Sequence, residues 1–352
     1  MDEKSGHGYY RGGRSIFWPM IMIGLGVIWL LANFEIIPPV NWWTLLNLWP
    51  LALVALGLQI MFGSGRPWLG NLLSFFLVLG VIGVLILAPS LGWTPGGQLI
   101  TEQFSEPLDG AEGAIVRLDM DYGDTSLGAL SDSNDLIDVK ITHGGTVSFS
   151  AVGGDRRTVS LDLDARNGQF LFINPAAIGE TVSEIGLSPD VPIDLEIDHG
   201  SGQGEYALEE LQLTDLEIDM SSGDVAADLP AGDYAVSVDV SSGAVDFAGA
   251  AGSDLDVTMD VSSGRLDFSF AEQTNAKVEV DLSSGSVNIE LPEGVGVRIA
   301  GSASSGSIRV PKGYVRVSGE DDDGVWESPD YGTADYTIEI TFDVSSGSFN
   351  VR

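Results

Sequence analysis

Asp219, Asp239, Asp260 and Asp281 recur at steps of 20 or 21 residues, and each opens the same five-residue motif, Asp-x-Ser-Ser-Gly. Carboxylates serve general acid–base catalysis and divalent-cation binding, so a regular series of them is the first chemistry to weigh. The spacing matches neither an EF-hand loop nor the nonapeptide calcium repeat. A ladder that attracts cations is the functional expectation for these four residues; turn formation, in which Asp is common, is the structural one. Closer carboxylate pairs, Asp162 with Asp164 and Asp194 with Glu196, arise in any acidic alternating strand without an acid–base role. His7, His143 and His199 lie far apart and show no metal-ligand spacing. The run His199-Gly200-Ser201-Gly202-Gln203-Gly204 fits neither a nucleophile elbow nor a dinucleotide-binding loop. With no cysteine, thiolate metal sites, Fe–S clusters, disulfides and cysteine nucleophiles are excluded. A non-enzymatic protein without cofactor is expected.

Charge narrows the partners. Of 16 Lys/Arg and 51 Asp/Glu, only Lys4, Arg11, Arg14 and Arg66 and Asp2, Glu3 and Glu35 precede residue 93, which leaves a formal charge of −36 on the remainder. Such a surface repels phosphate backbones and anionic headgroups; nucleic acid is not a partner, whereas cations and basic peptides fit.

The elements that position the aspartates follow from the repeat. The motif glycines Gly202, Gly223, Gly243, Gly264, Gly285, Gly306 and Gly347 are spaced 21, 20, 21, 21, 21 and 41 apart, the last step reading as two rungs with one degenerate turn. Between them, apolar and polar residues alternate as in half-buried strands. A unit this short cannot bury its apolar face alone, so the period predicts an all-β, parallel β-solenoid of stacked rungs, regular over 198–352. In the unit after Gly243, one strand is expected at 244–247 and a second at 255–261, with glycine supplying positive φ at the turns. Stacking would set the aspartates ~4.8 Å apart, with a repulsion of ~1 kcal/mol per pair in water. Residues 111–192 repeat less cleanly and read as a cap on the stack, with Asp119-Met120-Asp121-Tyr122-Gly123 as a degenerate first copy. The insertion at 319–331 carries the acidic run Glu320 to Asp323 and Trp326; it reads as a solvated loop whose indole covers the end of the core, with ligand binding as the alternative.

The first quarter differs. Apolar stretches at 16–33, 43–62 and 69–88 contain no Asp, Glu, Lys or Arg and approach the ~20 residues that cross a bilayer as helix. They predict three transmembrane spans after a cytoplasmic N-terminus (1–15), with residues 89–110 as a linker and 111–352 as an extracytoplasmic β-domain. The orientation rests on Lys4, Arg11, Arg14 and Arg66, which flank the spans on one side. Trp18-Pro19 is followed by Gly26, and Trp49-Pro50 by Gly57, an internal repeat that places Pro early in each helix.

Trp18-Pro19 through Asn33 and Leu48-Trp49-Pro50 through Gly57 resemble the membrane region of Lia-type (LiaI/LiaF-like) cell-envelope stress proteins. The Asp-x-Ser-Ser-Gly rungs resemble the toast-rack, or adhesin-like, β-domains that accompany such segments. The resemblance implies a bacterial, multi-pass cell-membrane protein that senses or scaffolds in an envelope stress response. Its partners would be the lipid bilayer, a membrane signalling protein such as a sensor kinase, and a cell-wall or surface ligand. The chain departs from the Lia pattern in having three spans where four are frequent. The alternative is a surface adhesin, or a glycan- or cation-binding module, with the helices as anchor only.

Overall fold

Alternation of apolar and polar residues becomes strand throughout the C-terminal region of the computed structural model. The structure describes residues 99–164, 181–320 and 323–352, together with Met22, Gly26, Trp29, Phe76 and Gly80. Those five are helical; among the described residues no helix is long and apolar enough to cross a membrane. Apart from those five, the three expected spans, with Trp18, Pro19, Trp49, Pro50 and Gly57, lie outside the described residues.

Each rung is a long strand and a short strand, joined by a tight turn except where residues 165–180, which lie outside the described residues, come between them. In chain order the long strands are β2 (Gly113–Met120), β6 (Arg156–Asp164), β8 (Pro192–His199), β10 (Gln212–Met220), β12 (Asp233–Val240), β14 (Asp254–Val261), β16 (Asn275–Leu282), β18 (Gly296–Ala303) and β22 (Thr337–Val344). Their short partners are β3 (Asp124–Ala129), β7 (Val182–Leu187), β9 (Gln203–Ala207), β11 (Asp224–Asp228), β13 (Ala244–Ala248), β15 (Arg265–Ser269), β17 (Ser286–Glu290), β19 (Ser307–Arg309) and β23 (Ser348–Val351). The remaining strands, β1 (Ile100–Pro107), β4 (Asp135–His143), β5 (Thr146–Gly153), β20 (Val315–Glu320) and β21 (Asp323–Glu327), run antiparallel at the two ends. β1 lies within the stretch expected to be linker.

Long strands form a 12-stranded sheet and short strands an 11-stranded sheet, parallel within the stack. A strand reaches its parallel neighbour by passing through the opposite sheet, so no helix is needed to cover the inner faces. In β14 the burial alternates strictly, with Leu255, Val257, Met259 and Val261 inward and Asp254, Asp256, Thr258 and Asp260 outward. Aromatic rings fill the middle: Phe268 packs on Phe247 and Phe270 with centroids 5.3 and 4.4 Å apart. Each such buried ring contributes roughly 1.5–3 kcal/mol.

The rungs do not stack in sequence order. β2/β3 lies between β6/β7 and β8/β9, and β22/β23 lies between β16/β17 and β18/β19. The 41-residue step is therefore not two rungs in succession. It contains the β20–β21 hairpin, which pairs antiparallel on one edge of β18 and leaves only the other edge for β22. The C-terminal rung thus fills the gap between β16 and β18. At the opposite end the β5 hairpin takes the outer edge of β6 in the same way, and β2 occupies the inner one.

Candidate functional site: the aspartate column

The turns set the register of the outward face. Backbone hydrogen bonds continue through every Ser-Ser-Gly corner: Ser262 N–H donates to Val240 O, Ser263 to Ser241 O and Arg265 to Gly243 O, at 2.9 to 3.0 Å. Both sheets and the corner therefore form one continuous ladder, and slippage of one rung would break all three. Gly202 and Gly223 adopt φ of 122° and 116°, but Gly243, Gly264, Gly285, Gly306 and Gly347 do not lie in the left-handed region. The expectation of positive φ fails at these five. What demands glycine there is close approach: a Cβ at Gly285 would meet Gly264 O at 2.2 Å, and one at Gly264 would meet Gly243 O at 2.5 Å. The same contacts confirm the rung order, since Gly347 lies on Gly285 and Gly306 on Gly347.

With the corners aligned, the residue two positions before each first serine points outward at one height. Across adjacent parallel strands this column reads Asp162, Asp119, Asp198, Asp219, Asp239, Asp260, Asp281, Asp343 and Ser302, and the antiparallel hairpin continues it with Asp323 and Glu320. All eight aspartates of the parallel strands are exposed, and parallel pairing sets them ~4.8 Å apart. Two residues back, Glu196, Glu217 and Glu279 extend the acidic surface, and Arg117 pairs with Glu196 at 2.6 Å. Asp239, Asp260 and Asp281 sit mid-column.

Crowding shows in the protonation equilibria. Partial burial, then the charges of Asp198 and Asp162, push Asp119 up to about 6. Asp219 is raised by partial burial, then by Asp198 and Glu196, and Glu217 by burial, then by Asp219 and Glu196. Among the described residues no group of three or more His, Asp or Glu side chains is placed to hold a metal ion. Carboxylates that all project from one flat face approach an ion from one side only and do not surround it with the 6–8 oxygens that calcium takes. The column is a linear field of negative charge.

Sequence reasoning singled out four of these aspartates. Asp119, Asp198 and Asp343 sit in visible copies of the motif, but Asp162 precedes no such turn, and only its pairing with Asp119 brings it in.

His199 replaces the aliphatic residue at the last inward position of its strand, where its neighbours in register are Met120 and Met220. It is fully buried, its Nδ1 lies 3.0 Å from Tyr206 Oη, and its Nε2 has no partner. Burial lowers its proton affinity, so it packs as a neutral ring. His143 is also buried, with Nε2 3.1 Å from Glu102 Oε2. Trp326 packs on the end of the core, stacked against Phe342 at 6.3 Å, with the Arg316 guanidinium 4.8 Å above its ring. The indole covers the end of the core as expected, but the segment expected to be a solvated loop is largely strand, since β20 runs to Glu320 and β21 spans Asp323–Glu327.

Known proteins align with three parts of the chain. No curated protein matches it. Among solved structures, a candidate cell-adhesion protein from Clostridium sporogenes is 15% identical, covering 72% of this chain and 99% of its own, with a TM-score of 0.36. A candidate adhesin from Bacteroides fragilis is 12% identical, covering 73% and 99%, with a TM-score of 0.36. Family models match at residues 16–61 (LiaI-LiaF-like transmembrane region), 95–250 (N-terminal domain of toast_rack, DUF2154) and 193–352 (Toastrack DUF4097). The chain therefore carries a LiaI–LiaF-like transmembrane region followed by a toast-rack domain with its N-terminal part.

Proposed function

We propose that this protein is a membrane-anchored, extracytoplasmic binding module that senses or scaffolds in a cell-envelope stress response and acts by binding, not by chemistry. The observation that carries the reading is the column of eight exposed aspartates on one continuous sheet face. A flat acidic stripe attached to a membrane region recruits polycationic ligands, because summed charge along a surface raises the local concentration of counter-charged partners. Wall-active cationic peptides carry the complementary charge. In this reading the membrane region passes occupancy to a signalling protein in the same bilayer.

The orientation of Lys4, Arg11, Arg14 and Arg66 supports an external β-domain. In the alternative reading, an adhesin, the acidic face holds surface material and the helices only anchor it.

In-membrane crosslinking with mass spectrometry, on cells with and without a cationic wall-targeting antibiotic, separates the two. A drug-dependent link from residues 16–88 to a membrane signalling protein is expected. Links from the β-domain to wall material alone would contradict sensing and support the adhesin.

A further inference from the structure

Each sheet ends in two terminal strands, and three of the four are blunted against further pairing. β1 carries Glu102 and Glu106 and ends in Pro107. β19 has three residues, one of them Arg309. β20 carries Arg316 and Glu320, and its pairing shifts register between Arg316 and Ser318. Charge, proline, shortness and irregularity are the devices by which natural sheets keep their edges from adding strands.

β5 has none of them. Its sequence, Thr146-Val147-Ser148-Phe149-Ser150-Ala151-Val152-Gly153, contains no charge and no proline, and it pairs with β6 over all eight residues without a register shift. Among the described residues it is hydrogen-bonded to β6 alone. Val152, 65% exposed, stands on its outward face.

We propose that β5 is a self-association edge, and that its occupant is β5 of a second copy, paired antiparallel about a two-fold axis. Charge selects the occupant. Two copies of a β-region carrying −36 repel at most orientations, and β5 is the terminal strand whose apposition to itself adds no like charge. At the Gly153 end of the β5–β6 hairpin Arg156 is ion-paired to Asp194 and Arg157 to Glu106 within the same copy, so that end too meets a second copy without free charge.

The side-chain pattern closes on itself. With Phe149 on the axis it faces the partner's Phe149, Val147 faces the partner's Ala151, and Ser148 faces the partner's Ser150. Inward residues then meet inward residues, as an antiparallel register requires. Phe149 already stacks on Phe104 at 5.3 Å, so an aromatic cluster spans the junction. This inference does not depend on the ligand proposed for the aspartate column.

The absence of native cysteine makes the test direct. The full chain carrying Ser150→Cys is placed in neutral-lipid nanodiscs and treated with a bis-maleimide that bridges about 8 Å, the reach of a diagonal cross-strand pair. A product of twice the chain mass is expected, with none from Ser242→Cys on an exposed turn. Adding Ser148→Lys, or separately Val152→Lys, to Ser150→Cys should lower the crosslinked fraction at least tenfold while the strand signal in circular dichroism is retained. Two lysine sites keep the test valid if one variant misfolds. Monomer alone from Ser150→Cys, equal yield from Ser242→Cys, or undiminished crosslinking in both folded lysine variants would overturn the proposal.

Discussion

Among single residues, the corner glycines of the stack tolerate the least change. Gly285→Ala should destabilise the β-domain by ~3 kcal/mol, the upper part of the usual overpacking range, because its Cβ would meet backbone and not a flexible side chain. Ser284→Ala at the neighbouring exposed corner position should change the urea midpoint little. The glycines themselves were legible in the sequence as markers of the period; their reason was not, since close approach between rungs depends on a partner strand 21 or 62 positions away. The pH response has two limbs of opposite sign. His199 is lowered by burial, so below about pH 6.5 the unfolded chain binds the proton first, and stability falls as pH drops through that value. Asp119, raised from 3.8 to about 6, binds its proton more tightly when folded. Its contribution is fully present below pH 3.8 and is lost as pH rises through about 6. Replacing His199 and Tyr206 together by Met and Phe should abolish the first limb, and Asp119→Asn should abolish the second and raise stability at pH 7. Melting temperature measured from pH 4 to 8 on each variant checks both signs.

At the scale of elements, alternation and period together made the strands readable. The unit after Gly243 was expected at 244–247 and 255–261, and β13 and β14 fall there within a residue or so. The order of rungs was not readable, because hydrophobic periodicity specifies that a strand stacks and leaves open upon which neighbour. That choice is made by the hairpins at each end, whose antiparallel pairing consumes one edge of β18 and one of β6. β22 is consequently the link between β18 and the rest of the stack. Phe342 in β22 lies between Trp326 and Phe349, at 6.3 and 4.7 Å. Phe342→Ala should cost about 3–5 kcal/mol. In hydrogen exchange, β18 and β21 should lose protection before β12 and β14; equal loss across the stack would contradict the insertion of β22.

At the scale of the whole molecule, the toast-rack region converts a short repeat into a long, flat, charged face. Seven members of its aspartate column sit in copies of the motif that the sequence shows, and only Asp162 needed the register to place it. Its self-repulsion is screened by salt, so the β-domain should melt several degrees higher in 0.5 M than in 0.02 M NaCl, with the increment reduced in Asp239→Asn/Asp260→Asn/Asp281→Asn. The central claim is that this face binds polycations. The most direct measurement is calorimetric titration of the full chain, in nanodiscs of neutral lipid, with a lysine octapeptide at low salt. The account predicts saturable binding that weakens at least tenfold in the triple asparagine variant and falls steeply with added salt. Undiminished binding by that variant, or none by the native chain, would contradict it.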